Sequence, residues 1–196
     1  MNPDRYSRRI LLCIAGLSPQ IVTETLYALT VTGEPRFVPT EIHLLTTAEG
    51  AERARLTLLS DEPGWFHRLR QDYGLPAIHF TLDAIHILHA ADGRPLSDIR
   101  ELADNEAIAD AITAKVRELT ADPDSAVHAS IAGGRKTMGF YLGYALTLFG
   151  RPQDRLSHVL VSSPFESNPN LFYPAPVERV IFSHGPDQRP LDARDA

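Results

Sequence analysis

A chain of 196 residues is one domain's worth and long enough to close a hydrophobic core. Its formal charge of −6 excludes a broad basic face for gripping long duplex nucleic acid, but not a few local cations around a small anion. No apolar run reaches the ~18 residues needed to cross a bilayer, and the N-terminal apolar run is too short for a signal peptide. The single cysteine, Cys13, leaves no disulfide framework, so a cytoplasmic setting is expected.

The elements alternate along the chain. RRILLCIA (8–15) reads as a strand. Gly16-Leu17-Ser18-Pro19 then opens a helix, with Ser18 expected as N-cap and Pro19 at the first helical position. QIVTETLYALTV places Ile21, Thr25, Leu26 and Leu29 on one helical face, and Gly33-Glu34-Pro35 ends it. EIHLLTT (41–47) is a second strand, AEGAERARLTLLS a second helix, and a short helix over 63–73 stops at Gly74 and Pro76. AIHFTL (77–82) is expected as the third strand, while 83–100 either extends the sheet or forms a hairpin around Asp92-Gly93.

Ile108, Ile112, Val116 and Leu119 mark an amphipathic helix over 104–120. AVHASI (126–131) is a fourth strand, and AGGRKT leads into a helix ending at Gly150. LSHVLVS (156–162) is a fifth strand, PFESNPNLFYPAP an irregular loop and VERVIFS (177–183) a last strand. A domain over 1–184 and a mobile charged tail over 185–196 are expected. Strands separated by helices imply an α/β, Rossmann-like domain, its mostly parallel sheet covered by helices on both faces.

Ligands of such sheets bind beyond the carboxyl ends of the strands. Two loops there stand out, GLSPQ after the first strand and AGGRKT after the fourth. Each delivers a helix N-terminus, whose free amides and positive dipole end attract anions. The expected ligand-binding residues are therefore Gly16, Leu17, Pro19, Gln20, Ala132, Gly133, Gly134, Arg135 and Thr137, with Thr46 and Thr47 at the end of the second strand. Seventeen of nineteen basic residues are arginine, so a lysine directly after Arg135 is mild support for a phosphate seat. Walker A fails because Arg135, not glycine, precedes Lys136, and no dinucleotide fingerprint follows the first strand.

Other patterns carry less. His86 and His89 have metal-like spacing without a third ligand, so no metal and no cofactor are expected. Arg151…His158 and Arg179…His184 match a ribonuclease spacing at the frequency chance provides. Glu24 and Glu49 are possible acid–base groups, both read as helix-surface or first-turn carboxylates.

GLSPQIVTETLYAL (16–29), TTAEGAERA (46–54), SIAGGRKTMGFYLGYALTLFGRPQDRLSHVLV (130–161) and PFES…NLFYP (164–174) together resemble the CRISPR-associated ring nucleases, built on a CARF domain, the CRISPR-associated Rossmann fold. The resemblance implies a homodimer with the ligand on its two-fold axis. It implies cyclic tetra-adenylate as ligand and metal-independent cleavage to linear di-adenylates with 2′,3′-cyclic phosphate ends, which switches off type III CRISPR signalling. It places the family's catalytic serine on Ser18 and its catalytic lysine on Lys136. Neither a membrane nor long nucleic acid is an expected partner. The alternative is a non-cleaving CARF sensor that binds cyclic oligoadenylate and regulates a partner, disfavoured by the shortness of the segment after 184.

Overall fold

The computed structural model describes residues 3–184 and 186–196. Its centre is a five-stranded sheet in the order β3-β2-β1-β4-β5, every pairing parallel. The strands are β1 (Arg8–Ala15), β2 (Glu41–Thr46), β3 (Ile85–Ile87), β4 (Ser125–Ser130) and β5 (Arg155–Ser157). The helices are α1 (Gln20–Tyr27), α2 (Ala48–Ala54), α3 (Trp65–Asp72), α4 (Leu102–Thr120) and α5 (Lys136–Phe149). α1 and α2 each continue into a π-helical turn, Ala28–Thr32 and Arg55–Leu59.

From Ile10 to Ala15 β1 is apolar without a break, because both of its faces are covered there. Leu11, Cys13 and Ala15 point into one core with Val22 and Leu26 of α1, Ala54 of α2 and Phe66 and Leu69 of α3. Ile10, Leu12 and Ile14 point into the other, with Ile108, Ile112 and Val116 of α4 and Leu142 and Ala145 of α5. This is the Rossmann-like α/β arrangement expected of a CARF domain. α4 starts in a reciprocal capping box, Glu101 with Asp104, and buries the stripe its 3.6-residue period required.

Four expectations are corrected. AIHFTL is not a strand: only His79 bridges to Glu41, and a 3-10 turn over Leu82–Ala84 redirects the chain before β3 pairs with Leu44–Thr46. Ile78 and Phe80 owe their apolar character to the core instead. The next segment meets both of its readings in part: β3 extends the sheet along β2, and the chain then turns back around Gly93 at φ +83°, with one isolated bridge, His89 to Pro95, and backbone bonds from Leu96 to Leu88 and from Ala90 to Arg94. β5 stops at Ser157, because its partner β4 ends at Ser130 and the following loop turns away; Leu160 is left 82 % exposed.

Finally, VERVIFS does not join the parallel sheet. β6 (Val180–Phe182) pairs antiparallel with β7 (Pro190–Asp192) over a small core of Phe165, Leu171, Ala175, Ile181 and Ala193. The tail expected over 185–196 thus contains a paired strand, and Ala193 is fully buried. Gly185, within that tail, and Met1 and Asn2, within the 1–184 domain, lie outside the described residues. Among the described residues no helix is long and apolar enough to cross a membrane.

Candidate ligand cleft

β1 and β4 are neighbours in register, Cys13 opposite Ser130, so the loops that follow them leave the same sheet edge side by side. They meet backbone to backbone. A Cβ on Gly16 would lie 3.8 Å from Gly134 Cα, and one on Gly133 would lie 2.5 Å from the Ile14 carbonyl oxygen and 2.9 Å from Ile21 Cγ1. Gly134 adopts φ +75°, where L side chains are strained. The second loop therefore needs both glycines, one for space and one for conformation. Gly50 locks the arrangement from the α2 side, its position leaving no room beside Thr46 Oγ1 and the Gly16 carbonyl.

The paired loops form the ridge of an open cleft of about 470 Å³. Gly16, Leu17, Ser18, Gln20, Ile21 and Glu24 line one wall, residues 132–134 the floor beside them, and Arg53 reaches in from α2. His158 and residues 166–169 complete the opposite side. The proline-rich loop is thus a wall of the cleft. It is anchored by Gln20, whose Nε2 donates to the Pro169 carbonyl at 3.1 Å, and by Trp65 stacked on Phe172 with ring centroids 5.0 Å apart. Arg179 lies 4.8 Å over the Trp65 ring, and Tyr173 donates to Asp72 at 2.8 Å.

A second recess of about 440 Å³ opens on the far side of the Gly16–Gly134 ridge, lined by Thr47, Glu49, Asp98, Arg100 and Arg135 among others. A third, of about 390 Å³, adjoins the main cleft through Gly133, Gly134 and His158 and is where Lys136 sits.

The expected site residues divide accordingly. Gly16, Leu17, Ser18, Gln20, Ala132, Gly133 and Gly134 come together in the main cleft. Lys136 lines the adjoining recess rather than the cleft that holds Ser18. Among the described residues Lys136 has no ion-pair partner, whereas Arg135 donates twice to Asp98, at 2.9 and 2.6 Å. That guanidinium holds the Asp98 carboxyl down to about 2. Arg135 is thereby committed to a neighbouring acid, and Lys136 remains the free cation of the loop.

Thr46 is fully buried and directs its hydroxyl toward the Gly16 carbonyl at 3.5 Å, so it supports the loop from below. Thr47 caps α2 by accepting from the Gly50 amide. Pro19, expected at the first helical position, is the N-cap of α1 and is buried; Ser18 precedes it with no side-chain capping bond. That releases the Ser18 hydroxyl from the local role its sequence position suggested. Thr137 is exposed and lines none of the three recesses. Neither α1 nor α5 receives a side-chain N-cap bond, which leaves first-turn amides available to an anion.

Sequence reasoning missed Arg53, read 166–169 only as part of an irregular loop, and set aside Glu24 as a helix carboxylate and His158 as a chance match. Glu24 is the only charged residue of α1, and that isolation was its signal. Burial pushes its carboxyl up to about 7. His158, expected within the fifth strand, instead follows the end of β5 and borders both the Ser18 cleft and the Lys136 recess. His86 Nε2 contacts His43 Nδ1 at 2.8 Å, and among the described residues no three His, Cys, Asp or Glu side chains are grouped so that they could hold a metal ion.

No curated protein sequence matches this chain. Among solved structures, Enterococcus italicus Csm6 bound to cyclic hexa-2′-fluoro-hexa-dAMP is similar with a TM-score of 0.47 and 15 % identity. The similarity covers 82 % of this chain and 34 % of that one, so the chain spans about a third of that protein's length. The model of the family "CRISPR-associated protein NE0113" matches residues 18–193, a span running from Ser18 through both site loops to the β6–β7 hairpin, and on that match the chain belongs to this CRISPR-associated family.

Proposed function

We propose that the protein is a ring nuclease. It binds cyclic tetra-adenylate across the two-fold axis of a homodimer and cleaves it without metal to linear di-adenylates with 2′,3′-cyclic phosphate ends. The outcome is to end type III CRISPR signalling. The observation that carries this reading is the convergence of GLSPQ and AGGRK on one sheet edge, glycine backbone against glycine backbone, with Ser18, helix N-termini and an uncommitted lysine around the junction. Membership of a CRISPR-associated family and the resemblance of both loops to ring nucleases support it.

The chemistry suits these groups. A ribose 2′-hydroxyl attacks its own 3′-phosphodiester, so the site supplies in-line geometry and stabilises charge on the phosphorane oxygens. Ser18 and the amides of the glycine loop donate hydrogen bonds; Lys136 supplies a point charge. A two-fold ligand needs only one such cluster from each subunit, which reconciles an anionic ligand with a chain of charge −6.

Incubation with cyclic tri-, tetra- and hexa-adenylate in EDTA, with products resolved, tests the reading. Di-adenylates from the tetra-adenylate ring are expected, and Lys136→Ala or Ser18→Ala should slow their formation by about 10²–10³ with binding retained. An unchanged rate in Lys136→Ala overturns that residue's role. The second reading, a non-cleaving sensor, is favoured by one observation: within a single chain Lys136 and Ser18 line different recesses. Tight ring binding without product would select it.

A further inference from the structure

We propose that Glu24 is the proton acceptor of the Ser18 cleft, taking the 2′-hydroxyl proton as that oxygen attacks the adjacent phosphorus. The proposal rests on the ring-nuclease reading and supplies the base it lacks. In the step, the O2′–P bond forms and the P–O5′ bond breaks. The 2′ proton passes to the Glu24 carboxylate, the 5′ oxygen takes a proton from solvent, and Glu24 later returns its own to solvent. Nothing else is consumed.

Three observations point to this carboxyl. It lies in the second turn of α1 and lines the same cleft as Ser18, one turn, about 6 Å of helix axis, beyond Gln20. Its helix is held rigidly: Ile21 packs against Gly133, and the Thr25 hydroxyl meets the Ser130 hydroxyl at 3.1 Å in the core. And among the described residues the Glu24 carboxyl has no hydrogen-bond or ion-pair partner, and of the acidic side chains described in the cleft it alone is both partly buried and unpartnered. A half-buried carboxyl on a fixed helix with no partner among the described residues is oriented for something that arrives in the cleft.

The charged and titratable groups around that space are Tyr27 on the same helix, Arg53 from α2, His158 after β5 and Glu166 from the proline-rich loop. None forms a bond to Glu24, and burial alone lifts its carboxyl to about 7, where a base combines availability with driving force. Phosphates entering the cleft push in the same direction, since they disfavour a second negative charge.

The test is the pH dependence of single-turnover cleavage of cyclic tetra-adenylate, measured from pH 5 to pH 9 for the native protein, Glu24→Gln and Glu24→Asp, beside ring affinity and thermal melting. The native rate is expected to rise with pH and level off near or above neutrality. Glu24→Gln, isosteric and folded by its melting curve, should lose about 10²-fold in rate and lose that limb, with ring affinity held. Glu24→Asp should retain a limb displaced to lower pH. A limb unchanged in Glu24→Gln overturns the proposal, as does a native rate that falls with pH or a variant that loses affinity while keeping its saturated rate. Native protein that binds the ring and never cuts it removes the ring-nuclease reading, and Glu24's role with it. Cleavage that ignores Glu24 removes only the latter.

Discussion

Gly133 sits where a methyl group has no space, 2.5 Å from a backbone oxygen of β1, and neither that oxygen nor Ile21 can retreat without moving the sheet edge. Gly133→Ala should therefore destabilise the fold by about 1–3 kcal/mol, read as a lowered melting temperature, and weaken ring binding further than the stability loss explains. The neighbouring cations illustrate how charge alone misleads. Arg135 and Lys136 are adjacent in sequence, yet one is spent on Asp98 and the other is not. Asp98→Asn should loosen Arg135 without abolishing cleavage, a contrast with Lys136→Ala that a single assay can display. Cys13, buried in β1 with its thiol pushed up to about 12, should react with thiol reagents only on unfolding.

The connection from α5 to β5 shows an element held by charge rather than by apolar packing. Asp154 is almost wholly buried and accepts from the Val127 amide at 2.8 Å and from Arg151 Nε at 2.8 Å. Arg151 donates onward to the Ser125 hydroxyl and to the Asp122 carbonyl. The network ties the turn to the N-terminal half of β4, the end opposite the glycine loop. Removing the acid in Asp154→Ala leaves the partly buried Arg151 guanidinium without its counter-ion and the buried Val127 amide without its acceptor, and a loss of about 3–5 kcal/mol is expected from chemical denaturation. Sequence spacing had offered Arg151 with His158 as a ribonuclease pair; the arginine's bonds to Asp154 and β4 explain its presence without catalysis.

At the scale of the whole molecule, pH acts through buried histidines. His128, buried on β4 against Phe37, is lowered to about 4 by desolvation, and His86 likewise. Their folded values lie below the ordinary 6.5, so the unfolded chain binds more protons between pH 4 and 6.5. Stability should rise with pH across that window, with His128 contributing at most about 1.4 kcal/mol per pH unit, and fall as the solution is acidified. Glu24 runs the other way: its raised value makes the folded state retain a proton from pH 4.5 to about 7, so its ionisation erodes stability as pH rises through that range. Urea titrations across pH 4–8, with Glu24→Gln flattening the upper limb, check both signs. Much of the architecture was legible beforehand, because β1, β4, α4 and α5 have long unbroken patterns whose period fixes their type. The edges were not. AIHFTL and LSHVLVS alternate like strands, but AIHFTL leaves β2 at the 3-10 turn over Leu82–Ala84, and β4 runs out before LSHVLVS does. The sequence by itself determined the parallel α/β domain and the two glycine-bearing loops, since turn chemistry and strand–helix alternation are local properties. Only the tertiary structure decided that Arg135 is neutralised by Asp98, that Thr46 supports the loop from below, and that Glu24 faces a cleft. Each depends on a residue tens of positions away in the chain, and proximity of that kind is set by how the sheet is ordered, not by any spacing along it.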